Sequence, residues 1–241
     1  MKEQKMTLLQ HFTELRRRVM WVLLFLTLAF GAGWFAAPYL QEFLAAPLLN
    51  AKAAAHADDI MLYTKLTDGL MIQFSLAGLF AIFATCPFFL YQAWAFIAPG
   101  LKRPERRLVG PMLIMSPILF LAGAAFAYYF LFPIIFAFFL EMNRGGALPT
   151  VFFPVITDYL SFVINMLKVF GVTFQLPLIL VLLNRIGVLT RAAVVKSRRY
   201  AIVGFFVLAA ILTPPDLLSM VLLALPLWAL FEISILFMKK E

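Results

Sequence analysis

Along the chain, apolar and polar positions alternate in long blocks rather than with a short period. Six apolar runs stand out, at about residues 19–40, 70–97, 108–139, 155–183, 200–213 and 217–237. At ~1.5 Å per helical residue, most of these are long enough to cross a hydrocarbon core of ~30 Å. The third is longer than the core and contains Pro111, Pro117 and Pro133, so it should tilt, kink or project outward. The fifth spans only ~21 Å, which fits either a thinned bilayer or flanking partner helix, or a helix that begins earlier, near Val195. Residues 41–68 and 141–154 read as external connections, the first with Pro47, Asp58, Asp59 and Asp68, the second turning at Gly145–Gly146. The pattern predicts an all-α integral membrane protein of six transmembrane helices forming a single domain over 1–241.

Charge placement sets the orientation. Of the 20 Lys and Arg, only Lys52, Lys65, Arg144 and Lys168 lie away from the N-terminus, the 2–3 loop, the 4–5 loop and the C-terminus. The positive-inside rule then puts both termini in the cytoplasm, which requires an even number of spans, as six is. Composition agrees: 64% of residues are hydrophobic, 13% are charged and 27 are Phe, against about a quarter charged in soluble domains. The net charge of +8 is spread around apolar spans and forms no single soluble patch, which excludes nucleic acid as a partner. Arg16–Arg17 ahead of an apolar run mimics an export signal. The run is too long for one, however, and Ala36–Ala37–Pro38 makes a poor cleavage site, so it is a retained span. No transit peptide is visible, and a bacterial inner membrane is the expected location. The single cysteine, Cys86, lies in an apolar run, excludes an intrachain disulfide and reads as a packed, inert thiol.

Candidate chemistry gathers at one cytoplasmic turn. Residues 85–107 pass Pro87, Tyr91, Trp94 and Phe96, end a helix at Pro99–Gly100, and enter a basic cluster with one acid, Glu105. Aromatics at headgroup depth followed by Lys and Arg describe a helix leaving lipid. Pro104–Glu105 suits the first turn of the next helix. Cytoplasmic acids are scarce: Glu3, Glu14, Glu105 and Glu241. Glu14 is spaced to pair with Arg17 or Arg18, and Glu105 sits beside Arg103, Arg106 and Arg107. Two readings fit, local charge balance or carboxylates that receive guanidinium groups from another chain.

The fourth run carries a second candidate. Ser161, Asn165, Lys168 and Gln175 fall within roughly 80° of one another on a helix. A lysine at that depth costs at least ~2.5 kcal/mol, so it should face the bundle or water. The stripe is either interhelical hydrogen-bonding glue or a polar groove, which leaves a small-solute or ion transporter as the competing function. Against that, no internal repeat is evident. Glu232 is the acid within a span at comparable depth, which leaves a Lys168–Glu232 pair open. Enzyme chemistry finds no support: His11 and His56 lie on opposite predicted sides, and there is no paired-carboxylate, phosphate-loop or nucleophile-elbow pattern. No cofactor or metal is implied.

Several motifs nevertheless occur together and in order: HFTELRRR (11–18), CPFFLYQAWAFIAPGL (86–101) followed by Glu105–Arg106–Arg107, AFAYYFLFP (125–133), DYLSF (158–162), LTPPD (212–216) and LFEI (230–233). With these the chain resembles the TatC family, the multispanning receptor subunit of the twin-arginine protein translocase. The resemblance implies a receptor that recognises the paired arginines of signal peptides on folded cargo. It also implies assembly with single-span TatA- and TatB-type subunits in an oligomeric complex, for transport driven by the proton gradient. Signal contacts would fall on Glu14, Arg16, Phe96 and Glu105, and partner helices would dock near Thr213 and Met220. Pro47 would belong to an external cap, and kinked helices would form a concave bundle. Two positions depart from the family pattern: Gln175 stands where many members carry a buried glutamate, and Met220 where some carry a glutamine. Lys168 belongs to none of these motifs.

Overall fold

The computed structural model describes residues 8–54, 61–98, 109–144, 154–212 and 217–239. Of the positions singled out above, Glu3, His56, Asp58, Asp59, Pro99, Gly100, Arg103, Pro104, Glu105, Arg106, Arg107, Gly145, Gly146, Thr213 and Glu241 lie outside the described residues. The chain is helical in α1 (Leu8–Ala54), α2 (Asp68–Ile97), α3 (Val109–Phe126), a π segment (Ala127–Leu131), α4 (Phe132–Arg144), α5 (Ile156–Thr173), α6 (Leu176–Arg185), α7 (Arg191–Lys196), α8 (Arg198–Leu212) and α9 (Leu217–Phe237). Among the described residues, five stretches are long and apolar enough to cross a membrane: His11–Ala53, Asp68–Ile97, Gly110–Met142, Ile156–Arg185 and Met220–Phe237. The remaining predicted run is α8, whose 15 residues reach ~22 Å. It does not extend back to Val195, because the chain turns at Ser197 and residues 191–196 form the separate helix α7.

The largest departure from expectation is α1. Its 47 residues run without interruption through Pro38 and Pro47, where the sequence predicts a span ending near residue 40 and an external segment beyond. A proline inside a helix removes the N–H that would serve the carbonyl four residues back. In lipid such a carbonyl must find another donor. Both do: Gln73 Nε2 lies 3.4 Å from the Trp34 carbonyl, and the Tyr128 hydroxyl donates to the Phe43 carbonyl at 2.7 Å. The Tyr159 hydroxyl adds a 2.6 Å bond to the next carbonyl, that of Leu44. Pro47 is itself buried. Tyr128 reaches α1 from the π segment, where the wider turn re-aims side chains, and its ring stacks on Phe43 at 4.4 Å. Nearby, Leu62 and Val155 form an isolated bridge, with Leu62 N–H donating to Pro154 and Ile156 N–H donating to Leu62, both at 3.1 Å. This end of the bundle, the far rim, is therefore tied together across α1, α5 and the π segment.

Lipid offers little hydrophobic drive for helix association, so close packing and hydrogen bonds must hold the bundle together. The main core joins Leu44, Leu76, Phe132, Ile135, Leu160, Phe170, Leu223 and Leu227. A second cluster, Trp94, Ala98, Met112 and Leu182, closes the opposite or amino-terminal rim. Beside it the turn after α6 is pinned to the end of α9. Asn184 donates to the Leu189 carbonyl at 3.1 Å and accepts from the Lys239 N–H at 2.7 Å, while Arg191 donates to the Ile235 carbonyl at 3.2 Å. Cys86 is buried and free.

Candidate functional site

At the amino-terminal rim the start of α1 lies against the end of α2. His11, Glu14 and Arg18 follow i, i+3, i+7 spacing and share one face of α1; Gln92 and Phe96 share one face of α2. Arg18 Nη2 and Nε donate to Glu14 Oε1 at 2.6 and 3.0 Å, and Arg18 Nη1 donates to Gln92 Oε1 at 2.8 Å. The guanidinium thus holds Glu14 in place and ties α1 to α2. Both side chains of the pair are about a fifth exposed, so water screens them less than a surface pair. The other carboxylate oxygen, Glu14 Oε2, is buried and has no hydrogen-bond partner among the described residues. A bare carboxylate oxygen in such a place favours an incoming charged donor. One turn away the His11 and Phe96 rings stack at 4.2 Å with 21° between planes, a flat wall beside the free oxygen.

Of the four residues expected to contact a signal, the structure brings Glu14 and Phe96 to one surface. Arg16 is exposed and lies off the face of α1 that carries Glu14; Glu105 lies outside the described residues. Sequence reasoning paired Glu14 with Arg17 or Arg18, and Arg18 is the partner. It missed His11, Arg18 as a bridge between helices, and Gln92. The i, i+3, i+7 spacing was visible, but the register of two helices 74 residues apart is written in no local pattern.

The intramembrane stripe does not survive intact. Ser161, Asn165 and Lys168 line a cavity of about 250 Å³ against Ser75, Gly78 and Ile82 of α2. Gln175 leaves it, because the helix turns at Phe174–Gln175 just ahead of Pro177. That proline lacks an N–H and its ring crowds the Thr173 carbonyl. Gln175 is buried instead toward α3, where Nε2 donates to the Ser116 carbonyl at 2.9 Å; Trp94 Nε1 donates to Ser116 Oγ at 2.7 Å. The three side chains clamp α2, α3 and the α5–α6 junction. Glu232 does not pair with Lys168 either: Arg198 Nη2 donates to its Oε2 at 2.7 Å, linking α8 to α9 at the amino-terminal rim. Met220 packs partly buried against the main core, and α8 presents Tyr200, Val203, Val207 and Ile211 outward.

Comparison with known proteins now bears on this arrangement. The family model "Sec-independent protein translocase protein (TatC)" matches residues 10–226. The TatC protein of Azotobacter chroococcum is 38% identical over 235 residues, covering 98% of this chain and 90% of its own length. That of Escherichia coli K12 is 35% identical over 235 residues, covering 98% and 89%. Crystal structures described as the twin-arginine translocase receptor TatC superpose with TM-scores of 0.84 and 0.86, each at 33% identity. They cover 94% and 95% of this chain, and 97% and 100% of their own. A multispanning helical bundle with these matches along nearly its whole length has one reading: the chain belongs to the TatC family of Sec-independent protein translocase proteins.

Proposed function

We propose that this protein is the signal-peptide receptor and assembly platform of a twin-arginine translocase, exporting folded cargo across a bacterial inner membrane with both termini in the cytoplasm. The observation that carries the reading is the buried, unpartnered Glu14 Oε2 at the amino-terminal rim. Arg18 occupies only the other oxygen, so Glu14 can accept one guanidinium of an arginine pair while Glu105 takes the second. Two guanidiniums a residue apart need two carboxylates, and bidentate geometry supplies the specificity. Phe96, stacked on His11, gives the apolar residues beside the pair a surface to lie on, and Arg16 flanks the site. The apolar part of the signal then runs along the bundle. An apolar cavity of about 240 Å³ lined by Phe43, Leu79, Phe80, Phe83 and Leu167 offers such a wall. Tyr128 and Tyr129, which also line it, border a second cavity of about 480 Å³ that reaches Pro47. TatA- and TatB-type single-span subunits would dock at α8 and α9, around Thr213 and Met220, and the proton gradient would drive transport. The solute-transport alternative has less support, because Gln175 is turned out of the polar stripe and only Ser161, Asn165 and Lys168 remain on its cavity.

Photocrosslinking between the protein in native membranes and a twin-arginine signal peptide tests the reading. Glu105→Lys abolishes the crosslink, and Glu14→Lys weakens it on the order of tenfold, the loss of one charge-assisted contact. The swapped double variant Glu14→Arg/Arg18→Glu restores the pair within α1 but moves the carboxylate, so it folds and weakens the crosslink about as much as Glu14→Lys does. Undiminished crosslinking in both Glu105→Lys and the swapped variant would remove these acids from recognition.

A further inference from the structure

Arg18 has the means to close the site it supports. A guanidinium carries five N–H donors in a rigid fork, and such a fork commonly takes a carboxylate with one donor on each oxygen. Here it does not. Nε and Nη2 both converge on Glu14 Oε1, at 3.0 and 2.6 Å. Glu14 Oε2 is buried and has no hydrogen-bond partner among the described residues. An i, i+4 pair on one helix has the reach for the two-oxygen arrangement, so a group outside α1 must hold the fork off it. The remaining bond of the guanidinium identifies that group: Nη1 donates to Gln92 Oε1 of α2 at 2.8 Å.

Gln92 can serve as a fixed post because α2 is clamped from behind. Residues two positions apart on a helix point about 200° from one another, so Trp94 leaves α2 on the side opposite Gln92. There Trp94 is buried, donates Nε1 to Ser116 Oγ at 2.7 Å, and packs with Ala98, Met112 and Leu182. Glu14 and Arg18, by contrast, both ride on α1. A swing of the fork from one oxygen to two stays within α1, and the bond to Gln92 is the contact it would break. Building on the receptor role proposed above, we propose that Gln92 is a positioning residue of the signal site. It detains the Arg18 guanidinium on the α2 side, so that Arg18 steadies Glu14 through one oxygen and leaves the other open to an arginine of the signal. The competitor that Gln92 holds back is the chain's own arginine, the same chemical group as the ligand. Gln92 acts through Arg18 and needs no contact with the signal.

Photocrosslinking titrations in native membrane vesicles, with a twin-arginine signal peptide and its Lys–Lys counterpart, test it. The unaltered protein must prefer the Arg–Arg peptide; without that preference the receptor role itself fails. Given the preference, Gln92→Leu should weaken the apparent affinity on the order of tenfold, because Arg18 then takes both oxygens. Gln92→Glu offers Arg18 an acceptor at the same reach and should stay within about threefold of the unaltered protein. The decisive variant is Gln92→Leu/Arg18→Gln. An amide can still donate to Glu14 Oε1, but it is uncharged and has no fork. The double variant should therefore regain most of the affinity lost in Gln92→Leu. A direct contact between Gln92 and the signal, or a mere tie between α1 and α2, predicts instead a double variant that binds no better than Gln92→Leu. That result overturns the proposal. So does full affinity in Gln92→Leu. A loss in Gln92→Glu as large as in Gln92→Leu also overturns it, which decides the matter even where the double variant does not fold.

Discussion

Gly123→Leu prevents the bundle from assembling, and even Gly123→Ala costs roughly 2–3 kcal/mol, the upper part of the range for overpacking a tight contact. The reason is where α3 crosses α5. A Cβ on Gly123 would lie 2.5 Å from the Phe170 carbonyl oxygen and 2.9 Å from its carbon, with the Phe174 ring at 2.8 Å. Two of those three atoms are backbone, so relief requires the helices to separate. Phe170 is fully buried in the main core, so separation also loosens its packing against Phe126 and Phe174. Gly171, on the other side of the same crossing, is a graded comparison. Its Cβ would meet only the Phe120 ring, at 2.7 Å, and a ring can rotate aside. Gly171→Ala therefore costs less than Gly123→Ala. Gly31 in α1 has open space where a Cβ would go, so Gly31→Ala is neutral or stabilising by up to about 1 kcal/mol. Thermal unfolding of the detergent-solubilised protein, followed by size-exclusion, ranks the three. Gly123→Ala should lower the midpoint by roughly 5–10 °C. A midpoint equal to that of Gly31→Ala would mean that α3 and α5 do not approach so closely.

What the sequence revealed and what it hid can be traced to the prolines. Hydropathy located the helical runs because length and apolarity are local properties, and the Glu14–Arg18 pair was legible because i, i+4 spacing is local too. The fate of each proline was not local. Pro38 and Pro47 leave α1 continuous because Gln73 and Tyr128, both distant in sequence, supply donors to the freed carbonyls. Around Pro177 the chain turns instead, into α6, and carries Gln175 off the stripe to Ser116. The same residue type thus extended one helix past its predicted end and cut another short. Which outcome applied depended on neighbours that a periodicity reading cannot place. Gln92 was hidden for a similar reason: it sits inside a motif that was read for its aromatics, and its role appears only once α1 lies beside it.

The proline–tyrosine link at the far rim predicts a specific energetic coupling. Tyr128→Phe leaves the Phe43 carbonyl without its donor in a setting where water is scarce. That costs about 1–2 kcal/mol, and Tyr159→Phe costs a similar amount at the Leu44 carbonyl. The double variant should lose about 3 kcal/mol, because the two hydroxyls hold adjacent carbonyls of one kinked turn. The decisive background is Pro47→Ala, which returns an N–H to position 47 four residues after Phe43. There Tyr128→Phe should cost less than it does beside the proline, by ~1 kcal/mol. Tyr129→Phe, an exposed neighbour in the same π segment, should be neutral in both backgrounds. Thermal unfolding of the four corners of the Tyr128/Pro47 cycle measures this directly. An equal cost for Tyr128→Phe with and without Pro47 would show that the hydroxyl is not standing in for the missing N–H. A coupling of the expected size would mean that α1 carries its prolines only because the π segment turns Tyr128 toward it. The far rim and the length of the first helix would then be a single structural decision, made by residues that lie 85 positions apart.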